Sequence, residues 1–198
     1  MSEWCTYRLS DFLMFSPATY WRLVERYNRE VWPLQLLTVA AGAMLLWWAA
    51  ARRPGAGRWA AGVLAPMWLF VGWAYYWQRY APINWAAEYF AIACALQAML
   101  LFVVAIFPKG ADARSTGPLV LTGGLALAGI GMFVYPFLAL VANRPWSQAE
   151  VFGIMPGPTA MGTLGLLLLA GRPHGLWLAM VPAFSLLAEL ATRWALQG

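Results

Sequence analysis

Two glutamates stand where so apolar a chain should avoid them. Glu88 falls in "RYAPINWAAEYF", residues 79–90, one turn into an apolar run, and Glu189 falls in "ELATRW" near the end of another. An ionised group turned towards lipid costs ~2.5–3.5 kcal/mol even on lenient insertion scales. Two readings of Glu88 follow. If Asn84 caps a helix, Glu88 sits in its first turn, where the positive end of the helix dipole stabilises a carboxylate by ~0.3–1 kcal/mol. Otherwise Glu88 turns into the bundle, towards Glu189 and a break at Pro156–Thr159, and the site accepts a proton, a cation or a polar ligand from one side. Glu189 also has a purely structural partner in Arg193, one turn on. The residues that would line a ligand site are Asn28, Arg79, Asn84, Glu88, Thr159 and Glu189, with Arg79, Arg144 or Arg193 offsetting the negative charge.

Other chemistry finds little support. There is no nucleophile elbow, P-loop, HExxH or glycine-rich dinucleotide turn, so neither an enzyme nor a cofactor is expected. The sole histidine, His174, cannot supply paired haem ligands or a His-rich metal site. Cys5 and Cys94 share no ligand spacing, and Cys94 lies inside an apolar run, which argues against a disulfide. Gln97, Thr159 and Ser185 are polar groups within apolar runs, where Ser and Thr mostly bond their own backbone.

The elements that must position these residues are helices in lipid. Of 198 residues 62% are hydrophobic and 11% charged, against about 25% charged in soluble domains, and the mean hydropathy is +0.61. Six runs, near 31–51, 59–79, 85–107, 118–141, 153–170 and 176–194, approach the ~20 residues that cross a hydrocarbon core. Tryptophan and tyrosine crowd their ends, as in an aromatic belt. The fold class is therefore all-α: a polytopic transmembrane bundle of about six spans, with residues 1–30 as an amphipathic interfacial segment and 31–198 as the membrane domain. The net charge of +5 reports loop charge and lipid contact, since no basic stretch has the density that nucleic acid requires. The first thirty residues lack a signal-peptide pattern, so the first span is expected to act as its own insertion signal.

Two stretches depart from plain spans. In "SPATYWRLVERYNREVWP", residues 16–33, Ser16-Pro17 marks a helix start, and Tyr20, Leu23, Val24, Tyr27 and Val31 recur at helical spacing. Glu25 with Arg29 and Arg26 with Glu30 can pair along the other face. This predicts a helix in the membrane interface, with docking to a soluble partner as the alternative. In "GIMPGPTAMGTLGLLLLAG" regular helix counted back from Gly171 stops at Pro158, leaving Gly153, Pro156, Gly157 and Pro158 as non-helical backbone below the surface. The alternatives there are a kinked helix from Val151 and a short tilted span. In the fourth run Gly124 and Ala128 are spaced to let a neighbouring helix approach closely.

With six spans the unusual residues collect on one side, and the other side holds plain basic turns such as "RRPGAGR". Arg52, Arg53, Arg58, Lys109, Arg114 and Arg172 on that plain side outnumber Arg79, Arg144 and Arg193, which places both termini outside. Counting Arg8, Arg22, Arg26 and Arg29 reverses the margin, seven to six.

Three motifs together carry a resemblance. Tyr27-Asn28 with Trp32-Pro33, Ile83-Asn84-Trp85-Ala86-Ala87, and Pro156-Gly157-Pro158-Thr159 resemble the signatures of a bacterial family of six-span membrane proteins that is catalogued as a domain of unknown function. The resemblance runs from about residue 12 to the C-terminus. It implies an inner-membrane location and supplies no activity. The chain departs from the family pattern at Gly157, where relatives carry a cysteine, and at Tyr76, where they carry a histidine, so no thiol or metal role is available here. The resulting expectation is a small transporter or ligand-binding membrane protein with a polar vestibule on the non-cytoplasmic side. The alternative is a non-catalytic subunit or assembly factor of a larger membrane complex. The expected partners are the lipid bilayer and a membrane protein or a second copy of this chain; the ligand is left open.

Overall fold

A computed structural model describes residues 15–107, 117–170 and 175–197, which form helices joined by turns, with no strand among them. Cys5, Arg8, Lys109, Arg114, Arg172 and His174 lie outside the described residues.

Helix α1 (Pro17–Glu30) begins where its sequence predicts. The Thr19 N–H donates to Ser16 Oγ at 3.2 Å, and Pro17 takes the first helical position, where an N–H would lack a partner anyway. Tyr20, Val24 and Tyr27 are buried and Leu23 is half-buried; burying side chains of this size contributes roughly 1.5–3 kcal/mol each. The opposite face carries the Arg29–Glu25 and Arg26–Glu30 pairs. The chain then bends by 84° into α2 (Leu34–Ala50), so α1 lies across one end of the bundle.

Helix α3 (Ala56–Phe70) continues without a gap as a π-helix, Val71–Tyr80. The Ala81 N–H closes it on Tyr76 O at 2.8 Å, five residues back. This wider turn stacks residues four and five apart, so Val71, Tyr75, Tyr76 and Tyr80 all point inward, and all four are buried. The sequence predicted an ordinary span to residue 79. Gly72 lets α4 (Ala87–Ile106) approach: a Cβ there would lie 2.8 Å from Cys94 Cβ.

Helix α5 (Pro118–Gly129) runs on through a π turn, a 3-10 turn at Tyr135–Phe137 and a last turn of helix, α6 (Leu138–Val141). Helix α7 (Pro156–Ala170) is the axis of the bundle, with ten of its fifteen residues buried; α2, α3, α5 and α8 (Gly175–Gln197) pack around it. Small residues set the α5–α7 distance. Gly165 sits on the Ala128 backbone, and a Cβ on Gly131 would lie 2.6 Å from Gly162 N. The neighbour that Gly124 and Ala128 were expected to admit is therefore α7.

The break before α7 is present but shifted. Helix starts at Pro156, not Pro158, because N–H groups of a first turn have no intrahelical acceptor and prolines there cost nothing. The residues before it, 149–155, are non-helical, and Ala149, Glu150, Phe152, Ile154 and Met155 are all buried. Gly153 has φ +83°, a left-handed conformation that suits glycine.

Among the described residues, three helical stretches are long and apolar enough to cross a membrane: Ala87–Ile106, Pro118–Val141 and Leu176–Leu196. The bent α1–α2 pair raises the number to four. The sequence suggested six; α7 is an apolar helix of only fifteen residues, and α3 gives way to a π segment that ends on Gln78, Arg79 and Tyr80. Large side chains such as Leu119, Val141, Leu176 and Trp177 are exposed around these helices, which fits a membrane location.

Candidate functional site

At the α1 end of the bundle, charged groups from α8 and from the chain between α6 and α7 lie inside. Glu189, on α8, is 6% exposed, and Arg193, one turn on, donates from Nε to Glu189 Oε1 at 3.1 Å. The same guanidinium pairs through Nη2 with Glu150 Oε2, and Glu150 is 3% exposed in the irregular segment before α7. One arginine thus bridges two buried carboxylates. Its guanidinium carbon also lies 4.9 Å from the Tyr135 ring centroid. Arg144 lies beside this group, its guanidinium carbon 3.5 Å from the Trp21 ring centroid and its Nη1 donating to Gln148 O at 3.4 Å. Burial, and then the charge of Arg193, lower its pKa from the ordinary arginine value.

Gly157 is the floor of the cluster. A Cβ there would strike the Tyr135 hydroxyl and lie 3.1 Å from Glu189 Cγ. Any side chain at this position requires Tyr135 to move. The N-terminal end of α7 therefore abuts Glu189, and its dipole favours the ionised carboxylate. The Tyr135 hydroxyl is buried and has no hydrogen-bond partner among the described residues.

On its other side Glu189 borders a small cavity of about 30 Å³, shared with Tyr20, Tyr75, Tyr76, Tyr80, Asn84, Phe90 and Thr192. The Tyr75 hydroxyl donates to Tyr20 Oη at 3.3 Å. The π turn of α3 builds this lining, since an ordinary α-helix would rotate one of Tyr75, Tyr76 and Tyr80 away.

The residues expected to line a ligand site have separate fates. Glu189 is buried, paired with Arg193 and packed at Gly157 within the Pro156–Thr159 start of α7. Glu88 is a correction: it is exposed, makes no ion pair among the described residues and does not border the cavity. It sits in the first turn of α4, so the helix dipole accounts for it. Asn84 does not cap α4, whose N-cap is Ala86; its Oδ1 accepts from the Ala86 N–H at 3.0 Å, an Asx turn, and the side chain borders the cavity.

Arg79 is held away from Glu189. It donates from Nε to Glu30 Oε2 at 3.0 Å, and Arg26 Nε reaches Glu30 Oε1 at 2.9 Å. These groups line an open cavity of about 540 Å³ with Arg22 and Gln78. Asn28 and Thr159 are positioning groups. Asn28 Nδ2 donates to Ser147 O at 2.9 Å and Ala149 O at 2.8 Å, which ties α1 to the residues just before Glu150. Thr159 Oγ1 accepts from Gly153 N–H at 2.8 Å and donates to Met155 O at 2.5 Å, fixing the other end of that segment. Tyr27 adds a bond to Ile154 O at 3.0 Å. Sequence reasoning missed Glu150, Tyr135 and the tyrosine lining. The available signal for Glu150 was an acid in an apolar stretch six residues before a Pro-Gly-Pro.

A profile described as a family of unknown function (DUF6064) matches residues 18–195. No curated protein and no solved structure matches the chain.

Proposed function

We propose, for a chain that belongs to that family, that it is a multi-pass membrane protein of six spans acting as a small transporter or ligand-binding protein, with the Glu150–Arg193–Glu189 cluster as its site. One observation carries the reading: two buried carboxylates share a half-buried arginine beside a cavity, at the end of the bundle where backbone is irregular. A buried ion-pair network seldom adds stability over apolar packing of the same volume, and ionisable groups inside membrane bundles mark pathways for ions and polar solutes. The irregular segment 149–155 and the π-helix are the backbone departures that membrane proteins place around such sites. The two carboxylates supply acceptor oxygens for a small cationic solute entering from the α1 side, and Arg144 beside them balances the second carboxylate.

The test uses purified protein in detergent at fixed pH and ionic strength. Melting is compared in choline chloride and in lithium, sodium, potassium and ammonium chlorides. The expected result is a higher Tm in at least one of the small cations than in choline, abolished in Glu189→Gln and retained in Glu88→Gln. If none of the four raises the Tm of the unaltered protein, the cation site is wrong.

A further inference from the structure

Resting on the reading of this cluster as a binding site, we propose that it also takes a proton, held on the Glu189 carboxylate and relayed by one water in the tyrosine-lined cavity. Three observations converge. First, Arg193 engages Glu189 through Oε1 only, and Glu189 is the carboxylate that borders the cavity; Glu150 is turned to Arg193 and does not border it. Second, the cavity of about 30 Å³ exceeds the roughly 10–15 Å³ that one water needs, yet is too small for an organic solute. Third, Tyr135 is 3% exposed, and its hydroxyl has no partner among the described residues and lies beside Glu189 at Gly157, so a donor waits unused next to the carboxylate.

The groups facing Glu189 decide the charge balance. Arg193 comes from its own helix, and Glu150 and Arg144 from the chain between α6 and α7. The α5 continuation adds Tyr135, α1 adds Tyr20, and the π segment adds Tyr75, Tyr76 and Tyr80, all of them neutral phenols. Glu150 and Glu189 against Arg193 and Arg144 sum to no net charge. A proton transferred from hydronium to Glu189 Oε2 leaves a water and a cluster with one positive charge, with no other bond made or broken. A metal ion is the poorer fit, since no group of three His, Cys, Asp or Glu side chains converges among the described residues, and phenols are weak ligands beside carboxylates.

The experiment is pH-difference infrared spectroscopy on the full chain in lipid nanodiscs. Lowering the pH should raise a protonated-carboxyl C=O band that is lost in Glu189→Gln and kept in Glu88→Gln. A band that survives in Glu189→Gln, or no band in the unaltered protein, overturns the assignment. Should Glu189→Gln not fold, the pair Tyr20→Phe with Tyr75→Phe keeps the carboxylate and removes two hydroxyls from its cavity. The band should then move in frequency, and an unmoved band refutes the relay. A Glu189 band without any cation-induced Tm shift removes the solute and leaves the proton; a cation shift without the band does the reverse.

Discussion

Arg193 is the residue on which the charged cluster turns. Removing one partner of a buried ion pair leaves an uncompensated charge, at a typical cost of about 3–5 kcal/mol. Arg193→Ala strands two carboxylates at once, so it should destabilise by at least that range in reversible denaturation, whereas Glu88→Gln, at an exposed and unpaired position, should stay within about ±0.5 kcal/mol. Equal effects of the two variants would contradict the burial described here. Glu30 offers a separate, pH-dependent reading. Hydrogen bonds from Arg79, then Arg26, hold its carboxyl below the usual glutamate pKa. A depressed folded-state pKa means the contribution is complete above the unfolded pKa and is lost as pH falls through the folded one. Stability in mild acid should therefore fall less steeply in Glu30→Gln than in the unaltered protein, by a modest amount because the pair is partly open to solvent. Identical acid limbs in the two melting series would show that the pair is not formed.

Among the elements, segment 149–155 depends on side chains far away in sequence. Asn28→Ala removes two hydrogen bonds to Ser147 and Ala149 carbonyls, at ~0.5–1.5 kcal/mol each. Amide exchange should rise across 146–155 and remain unchanged in α4; protection that is unaltered in both would show that α1 does not hold the segment. Gly157→Ala should cost about 1–3 kcal/mol by driving Tyr135 out of its place, which denaturation of that variant measures. These couplings explain what could and could not be read beforehand. The cap at Ser16, the inward stripe Tyr20–Val24–Tyr27, the two i,i+4 pairs and the close packing at Gly124 and Ala128 are local or periodic, so spacing alone reveals them. The π register of Val71–Tyr80 changes no residue type and leaves no periodic mark, and it decides which tyrosines meet Glu189. Glu88 and Glu189 share the same helix-end depth in sequence, but only the rotation of each helix, set by packing, sends one outward and the other in. Glu150 joins Arg193 across 43 residues through a loop whose path Asn28 and Thr159 determine.

For the whole molecule, both ends are defined by what they carry. At one end α1 lies across the bundle over the charged cluster. At the other, the turn between α2 and α3 and the first turn of α3 hold Arg52, Arg53 and Arg58, and Arg58 Nε donates to Ala105 O at 2.9 Å near the end of α4. Helix α2, at 17 residues and ~1.5 Å per residue, separates these ends by roughly 25 Å, close to a hydrocarbon thickness. Basic turns favour the cytoplasm, so the cluster should open to the non-cytoplasmic face. Cys94 is fully buried and will not report in a labelling assay; with Cys5 replaced, single exposed cysteines can be read. Ala142→Cys, at the cluster end, should react with an impermeant maleimide in intact cells. Pro54→Cys, which keeps all three arginines of the opposite turn, should react only after permeabilisation. Labelling of Pro54→Cys and not Ala142→Cys in intact cells would invert the protein, and protons reaching Glu189 would then come from the cytoplasm.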